Sequence, residues 1–207
     1  MIIPFIIIII LALWSLWGYF SSRVEHTDYN VIQKMADYEI REYPAHIVAQ
    51  TTAKGTYREA LNLGFRIVAG YIFGGNTKKQ TIATTALVTA QRDISEKISM
   101  TAPVLATTEG DSHIISFGMP RSYTLETLPK PLDPQVEIVP IPLKRFAALK
   151  FSWSRADARV KRMEIKLLSA LARDKVEVAG SPVYAGYNAP WTPPWMVRNE
   201  IMVEIVK

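Results

Sequence analysis

Few residues in this chain can carry out chemistry. Three histidines, His26, His46 and His113, lie far apart in 207 residues, and there is no cysteine. Thiol catalysis, iron–sulfur clusters, cysteine zinc sites and a disulfide framework are therefore excluded. Three scattered histidines do not make a His-rich metal centre. The chain has no G-x-S-x-G elbow, H-E-x-x-H helix, Walker loop or dinucleotide glycine motif. The carboxylates Glu39 and Glu42 are compatible with acid–base work and equally with a solvated strand. Met100 is a soft donor for a metal or a core filler. Trp191 and Trp195 lie in a proline-stiffened stretch, Pro190-Trp-Thr-Pro-Pro-Trp-Met196, which offers flat apolar surface at low entropic cost. These residues point to binding rather than catalysis, and the expectation is a protein that is not an enzyme.

The elements that position these residues follow a repeat. Residues from Tyr38 onward align with those from Val136 onward at a constant offset of 98: Glu39, Ile40, Pro44, Ala49 and Ala60 fall on Glu137, Ile138, Pro142, Ala147 and Ala158. Each copy opens with an extended, β-branched stretch: Tyr38 to Tyr43 and then Ile47-Val48, against Val136 to Val139 and then Phe146 to Phe151. Each continues with a capping box, Thr56-x-x-Glu59 and Ser154-x-x-Asp157. A helical stripe follows: Tyr57, Leu61, Gly64, Val68 and Tyr71/Ile72 in one copy, Val160, Met163, Leu167 and Ala170/Leu171 in the other. Strands come next, Lys97 to Ala106 and His113 to Met119, then Val183 to Tyr187 and Asn199 to Val206, with Ile115, Phe117 and Met119 on one face and Ile201, Val203 and Ile205 on another. The order, strand, helix, strands, twice over, predicts an α+β fold with a mostly antiparallel sheet and two main helices. Pro120 to Pro142 is a stiff link between the halves. Thr81 to Val88 recurs sixteen residues later as Lys97 to Val104, a local duplication expected to lengthen a hairpin or make a flap.

Ahead of the repeat, Ile2 to Phe20 carries no charge. At 1.5 Å per residue it spans roughly 28 Å, close to the ~30 Å hydrocarbon core. Trp14, Trp17 and Tyr19 gather at one end, as at a headgroup layer. The run lacks a basic n-region and a small-x-small cleavage site, so an uncleaved transmembrane anchor is favoured over a signal peptide. The expected organisation is an anchor at 1–22, a linker at 23–35 and a domain at 36–207. Without the first twenty residues the apolar fraction is about 45%, normal for a globular domain. The net charge of +5 is spread without aromatic interleaving, which argues against nucleic acid and suits a membrane surface.

Tyr38-Glu-Ile-Arg-Glu-Tyr43, Tyr71-Ile-Phe-Gly-Gly-Asn76, Lys97-Ile-Ser-Met-Thr-Ala-Pro-Val104, Pro129-Lys-Pro131 and Ala185-Gly-Tyr-Asn-Ala-Pro190 followed by Arg198-Asn-Glu200 together resemble the SOUL heme-binding protein family over about residues 36–207. The resemblance implies a distorted antiparallel β-barrel-like sheet of two pseudo-symmetric halves, each carrying a helix, and heme or another tetrapyrrole in a shallow apolar groove between the first helix and the loop before the last strand. It transfers that groove to Asn62, Phe65, Arg66 and Ala69 on the helix and to Trp191, Trp195 and Met196 in the loop. On the helical wheel Phe65 lies on the shoulder of the core stripe, placed to touch a ring while Arg66 reaches a propionate; the alternative is a core cap and a solvated cation. The position where some members carry an iron-ligating histidine is Glu42 here. His46, four residues on and so on the same strand face by alternation, is the candidate metal ligand, and binding is expected without strong axial ligation. The resemblance also suggests a bacterial protein with its domain outside the cytoplasm, serving as carrier, buffer or sensor. A membrane-tethered protein- or lipid-interaction module and an unconventional enzyme acting on a tetrapyrrole are the alternatives.

Overall fold

A computed structural model describes residues 2–21, 25–77, 95–189 and 191–206. The elements run α1 (Ile2–Ser21), β1 (Glu25–His26), β2 (Asn30–Lys34), β3 (Glu39–Tyr43), β4 (His46–Lys54), α2 (Tyr57–Ile72), β5 (Asn76–Thr77), β6 (Thr101–Ala102), β7 (Val104–Glu109), β8 (Ser112–Gly118), β9 (Lys130–Pro131), β10 (Glu137–Ile141), β11 (Lys144–Phe151), α3 (Asp157–Arg173), β12 (Val183–Gly186), a 3-10 turn Pro194–Met196, and β13 (Asn199–Glu204). The Thr81–Val88 copy of the short duplication lies outside the described residues.

The main sheet has nine strands in the order β10-β4-β8-β7-β12-β13-β11-β3-β2, all antiparallel and curled into a half-barrel. Exchanging β3 with β10, β4 with β11, β7 with β12 and β8 with β13 reverses the first eight strands of this order onto themselves. The sheet is therefore pseudo-two-fold about the β7–β12 seam, as the repeat predicts. Each half gives its first strand to the other: β10 pairs with β4 and β3 with β11. The registers agree with the sequence offset, since Ala49 faces Ile138 while Ala147 faces Ile40.

Both helices lie on the convex face. Ala49, Ala53, Ile115 and Phe117 pack under Ala60, Val68, Tyr71 and Ile72 of α2. Ala147, Leu149, Ile201 and Val203 pack under Val160, Leu167, Ala170 and Leu171 of α3. Both expected helical stripes are thus the buried ones. The alternate residues, Tyr43, Ala148, Ala185 and Met202, form a third cluster on the concave face.

The first capping box forms: the Thr56 hydroxyl accepts from the Glu59 N–H, and the Glu59 carboxylate accepts from the Thr56 N–H at 3.0 Å. Thr56→Ala is expected to destabilise the domain by about 1 kcal/mol, read as a lowered urea midpoint with unchanged slope. The second box does not form. The N-cap of α3 is Ala156, with no side-chain cap, and the Ser154 hydroxyl accepts from the Ala156 N–H two residues on. The helix start is displaced because Trp153 turns the chain with φ +76° and Arg155 donates to the Ala189 carbonyl. Residues 25–34, expected to be linker, hold two short strands: β1 pairs with β6 and β2 with β3.

Candidate functional site

Among the described residues, concavities lie on both faces of the sheet. On the convex side a groove of about 440 Å³ runs along α2 between Leu63, Arg66, Ile67 and Gly70 and the segment carrying Leu132 and Asp133. Its far wall is pinned to the end of α2. The Tyr71 hydroxyl donates to the Pro129 carbonyl at 2.8 Å, the Leu132 N–H donates to the Gly75 carbonyl at 3.0 Å, and β5 pairs with β9. Gly75 is required there, because a Cβ would lie 2.7 Å from the Gly70 carbonyl oxygen. Asn76 is buried and donates to the carbonyls of Tyr71 and Glu96. The Tyr71–Asn76 and Pro129–Pro131 motifs therefore cap α2 and build one wall of the groove. Leu63 and Leu132 are exposed apolar side chains, and Arg66 has no ion-pair partner among the described residues. The Asp133 carboxylate facing it accepts the Gln135 N–H.

The expected helix residues lie on and beside this groove. Arg66 lines it. Phe65 turns inward onto Phe117, with ring centroids 5.4 Å apart, as part of the core. Ala69 is buried and Asn62 exposed. The groove face is thus Leu63, Arg66, Ile67 and Gly70, one step round the wheel from Asn62, Phe65 and Ala69. The loop residues are held elsewhere. Trp195 stacks edge-on to Trp14 of α1 at 5.4 Å, the Trp191 carbonyl accepts from the Trp14 indole N–H at 2.9 Å, and Met196 lies beside Gly18.

The concave face holds a cavity of about 340 Å³, near the lower end of ligand-site volumes. Val48, Leu105, Phe146, Val183 and Met202 line it, with His46, Gln50, Thr107, Ser116, Lys144 and Glu204 among its polar members. His46 reaches this face, not that of Glu42. The strands break at Pro44-Ala45, so the alternation from Glu42 does not carry through to His46. Glu42 shares the face of Ile40, toward α3, and accepts from Arg145 at 2.9 Å. His46 and the α2 groove lie across the sheet from one another and cannot serve one ring together. The His46 Nδ1 is 2.9 Å from the Pro44 carbonyl. His113 is buried, 3.0 Å from the Thr108 hydroxyl and edge-on to Tyr57. Among the described residues no group of three or more His, Asp or Glu is placed to hold a metal.

Beside this cavity lies a polar cluster that the sequence reading missed. Glu200 has no exposed surface. It accepts from Arg41 at 2.7 and 3.2 Å, from Arg198 at 2.8 and 3.0 Å and from the Tyr187 hydroxyl at 2.8 Å. Arg41 and Arg198 lie over the rings of Tyr29 and Tyr187. Burial opposes the charge of Glu200, but hydrogen bonds and attraction from Arg41 and then Arg198 hold its carboxyl below the usual range. Burial, followed by the charge of Glu200, pushes the Tyr187 phenol well up. Burial and Arg198 lower His26, whose ring is 5.7 Å from that of Tyr187. The Arg41, Arg198 and Tyr187 donors occupy both carboxylate oxygens of Glu200 and tie β3 to β13. The available signal was an Arg and a Glu at the alternate positions of β3 and β13, opposite the residues that pack under α3.

A curled antiparallel sheet of two exchanged halves, with helices on one face and an open cavity on the other, defines the class of fold. The profile of the SOUL heme-binding protein family matches residues 24–96 and 87–204, and the chain belongs to that family. No curated protein matches it in sequence. Among solved structures it is similar to the C-terminal domain of EcmrR (TM-score 0.59, 12% identity, covering 84% of this chain and 99% of that one). It is also similar to an uncharacterized conserved protein from Listeria innocua (TM-score 0.51, 9% identity, 82% and 92%) and to a hydrolase from Listeria innocua (TM-score 0.50, 10% identity, 84% and 94%). At such identities these likenesses concern the fold alone.

Proposed function

We propose that the protein is a non-catalytic, membrane-anchored binding protein for heme or a related tetrapyrrole. The macrocycle lies on α2, with one face on Leu63, Ile67 and Leu132 and a propionate on Arg66. Family membership supports the ligand class. The observation that carries the site is an arginine with no ion-pair partner among the described residues, on the rim of an apolar groove walled by two family motifs. Phe65 and Ala69 support the groove from beneath, and Asn62 flanks it. A groove this open holds a flat ring by area and charge rather than by an axial ligand, so affinity is moderate.

Hemin titrated into the full chain in detergent, against a matched micelle blank, is expected to shift the Soret band modestly. Arg66→Glu should weaken binding about tenfold, the loss of one charge-assisted bond partly screened by water, and Ile67→Asp by more. Wild-type binding in both variants excludes this groove. A loss in Trp195→Ala instead moves the site to the loop. His46 at the concave cavity supports a second reading, in which the ring enters there and gains a ligand. A spectral change in His46→Ala with none in Arg66→Glu selects it. Loss of bound pigment with time would indicate turnover instead.

The anchor of this proposal is α1. It is a 20-residue helix of uncharged, mostly apolar sequence, about 30 Å long. Only part of it has described side chains, and among the described residues no helix is long and apolar enough to cross a membrane. Support for anchoring is the composition of Ile2 to Phe20, and the proposed location of the domain is outside the cytoplasm.

A further inference from the structure

All five tryptophans of the chain, at positions 14, 17, 153, 191 and 195, lie on three segments that meet at one place. Trp14 is bonded to Trp191 and stacked on Trp195. Trp17 stands one turn further along α1. Trp153 is tied to the same loop, its N–H donating to the Pro194 carbonyl at 3.0 Å, and holds a left-handed backbone (φ +76°) that bulky residues rarely adopt. The loop seats against α1 at Gly18, where a Cβ would meet the Pro193 ring at 2.6 Å. Met196 closes the contact. Despite these contacts the rings remain open to solvent: Trp17 is 66% exposed, Trp191 58% and Trp153 57%. A domain whose other large apolar side chains are mostly packed has no reason of its own to gather its tryptophans on the outside.

We infer that these tryptophans form a collar that sits in the headgroup–acyl boundary of a phospholipid bilayer and fixes the orientation of the domain on the membrane. The inference rests on the anchoring role proposed for α1 and extends it from the helix to the folded domain. The choice of lipid as occupant comes from continuity: the collar surrounds the end of an uncharged apolar helix, and indole is the side chain that prefers this layer, with its ring in apolar surroundings and its N–H at the polar edge. Depth agrees. From Trp14 to Ser21 the helix rises about 10 Å, so a loop docked at the level of Trp14 to Gly18 sinks to roughly the 5–10 Å reached by interfacial apolar groups. Residues 2–13, which project beyond the collar, then account for about 18 Å of the ~30 Å hydrocarbon core. The loop residues Trp191, Trp195 and Met196 accordingly face lipid.

The cysteine-free sequence makes the test direct. Single cysteines at Ile10, Trp191, Trp195 and the hairpin residue Gly110 are each labelled with an environment-sensitive fluorophore, in the full chain reconstituted into phosphatidylcholine–phosphatidylglycerol vesicles containing brominated lipid. Labels at 10, 191 and 195 are expected to be quenched severalfold more than the label at 110. In a Gly18→Leu background, which forces the loop off α1, the label at 195 should lose its quenching while that at 10 keeps it. Quenching at 10 but not at 191 or 195 overturns the collar and leaves the anchor intact; a blue-shifted yet unquenched label at 195 would mean that protein, a second copy included, covers this surface. No quenching at any position overturns both collar and anchor.

Discussion

Glu200→Gln is expected to destabilise the domain by about 3–5 kcal/mol, the usual cost of removing one partner from a buried ion pair. For a chain of this size that lowers the thermal midpoint by roughly 10 °C. The cost arises because Arg41, almost fully buried, and Arg198 would face a neutral amide, and the Tyr187 hydroxyl would lose its charged acceptor. Replacing Arg41 and Glu200 together by Met and Leu should recover part of the loss, since the buried unpaired charge at Arg41 is then removed and Arg198 is partly open to water. The pH dependence carries a sign. The folded carboxyl titrates below its unfolded value, so its contribution is present above that unfolded value, near pH 4–5, and is lost as pH falls through the folded one. Wild type should therefore lose stability more steeply below about pH 4 than Glu200→Gln does. Urea melts across that range measure the difference; a variant within 1 kcal/mol of wild type at neutral pH would show that the carboxylate is not buried as described.

Gly64→Leu is expected to be the second most damaging change, at about 3 kcal/mol. A Cβ at position 64 would lie 2.8 Å from Cβ and Cγ1 of Ile115, which is fully buried in the middle of β8, so neither side has room to move. Overpacking of this kind costs about 1–3 kcal/mol per site, occasionally more. Gly64→Ala isolates the steric contribution, because a helix interior gains about 1 kcal/mol from alanine over glycine; its net cost should fall to about 0–2 kcal/mol. The stripe of α2 packs its sheet on a glycine, whereas the stripe of α3 carries longer side chains, Met163 among them. Lifting α2 also separates Leu63, Arg66 and Ile67 from the Leu132 wall. Gly64→Leu should therefore weaken hemin binding even at temperatures where the variant remains folded. Full hemin affinity in a folded Gly64→Leu chain would count against the α2 groove as the site.

Much of this architecture is local enough to be read along the chain. Hydroxyl and carboxylate three residues apart predict the start of α2, and period-2 alternation puts Ile115 and Phe117 on the helix-facing side. Where the same rules failed, a backbone irregularity intervened. Ser154-x-x-Asp157 has the letters of a capping box, but the left-handed Trp153 delays the helix. His46 was expected on the face of Glu42, yet the break at Pro44-Ala45 turns it to the concave side. Phe65, on the shoulder of the α2 stripe, packs on Phe117, where a phenyl ring gains by joining the core.

By itself, the sequence determined the two halves, their equal register, the buried stripe of each helix, the family, and an uncharged apolar N-terminal run. All of these depend on patterns of 2, 3.6 or 98 residues that persist along the chain. The tertiary structure alone decided which strands are exchanged between halves, and with that exchange brought Arg41 to Glu200 across 159 residues. It also gathered tryptophans from positions 14, 153 and 191–195 into one collar. Such pairings have no period to read, because they are set by how two curved faces of one sheet are each covered, a constraint that acts on the whole chain at once.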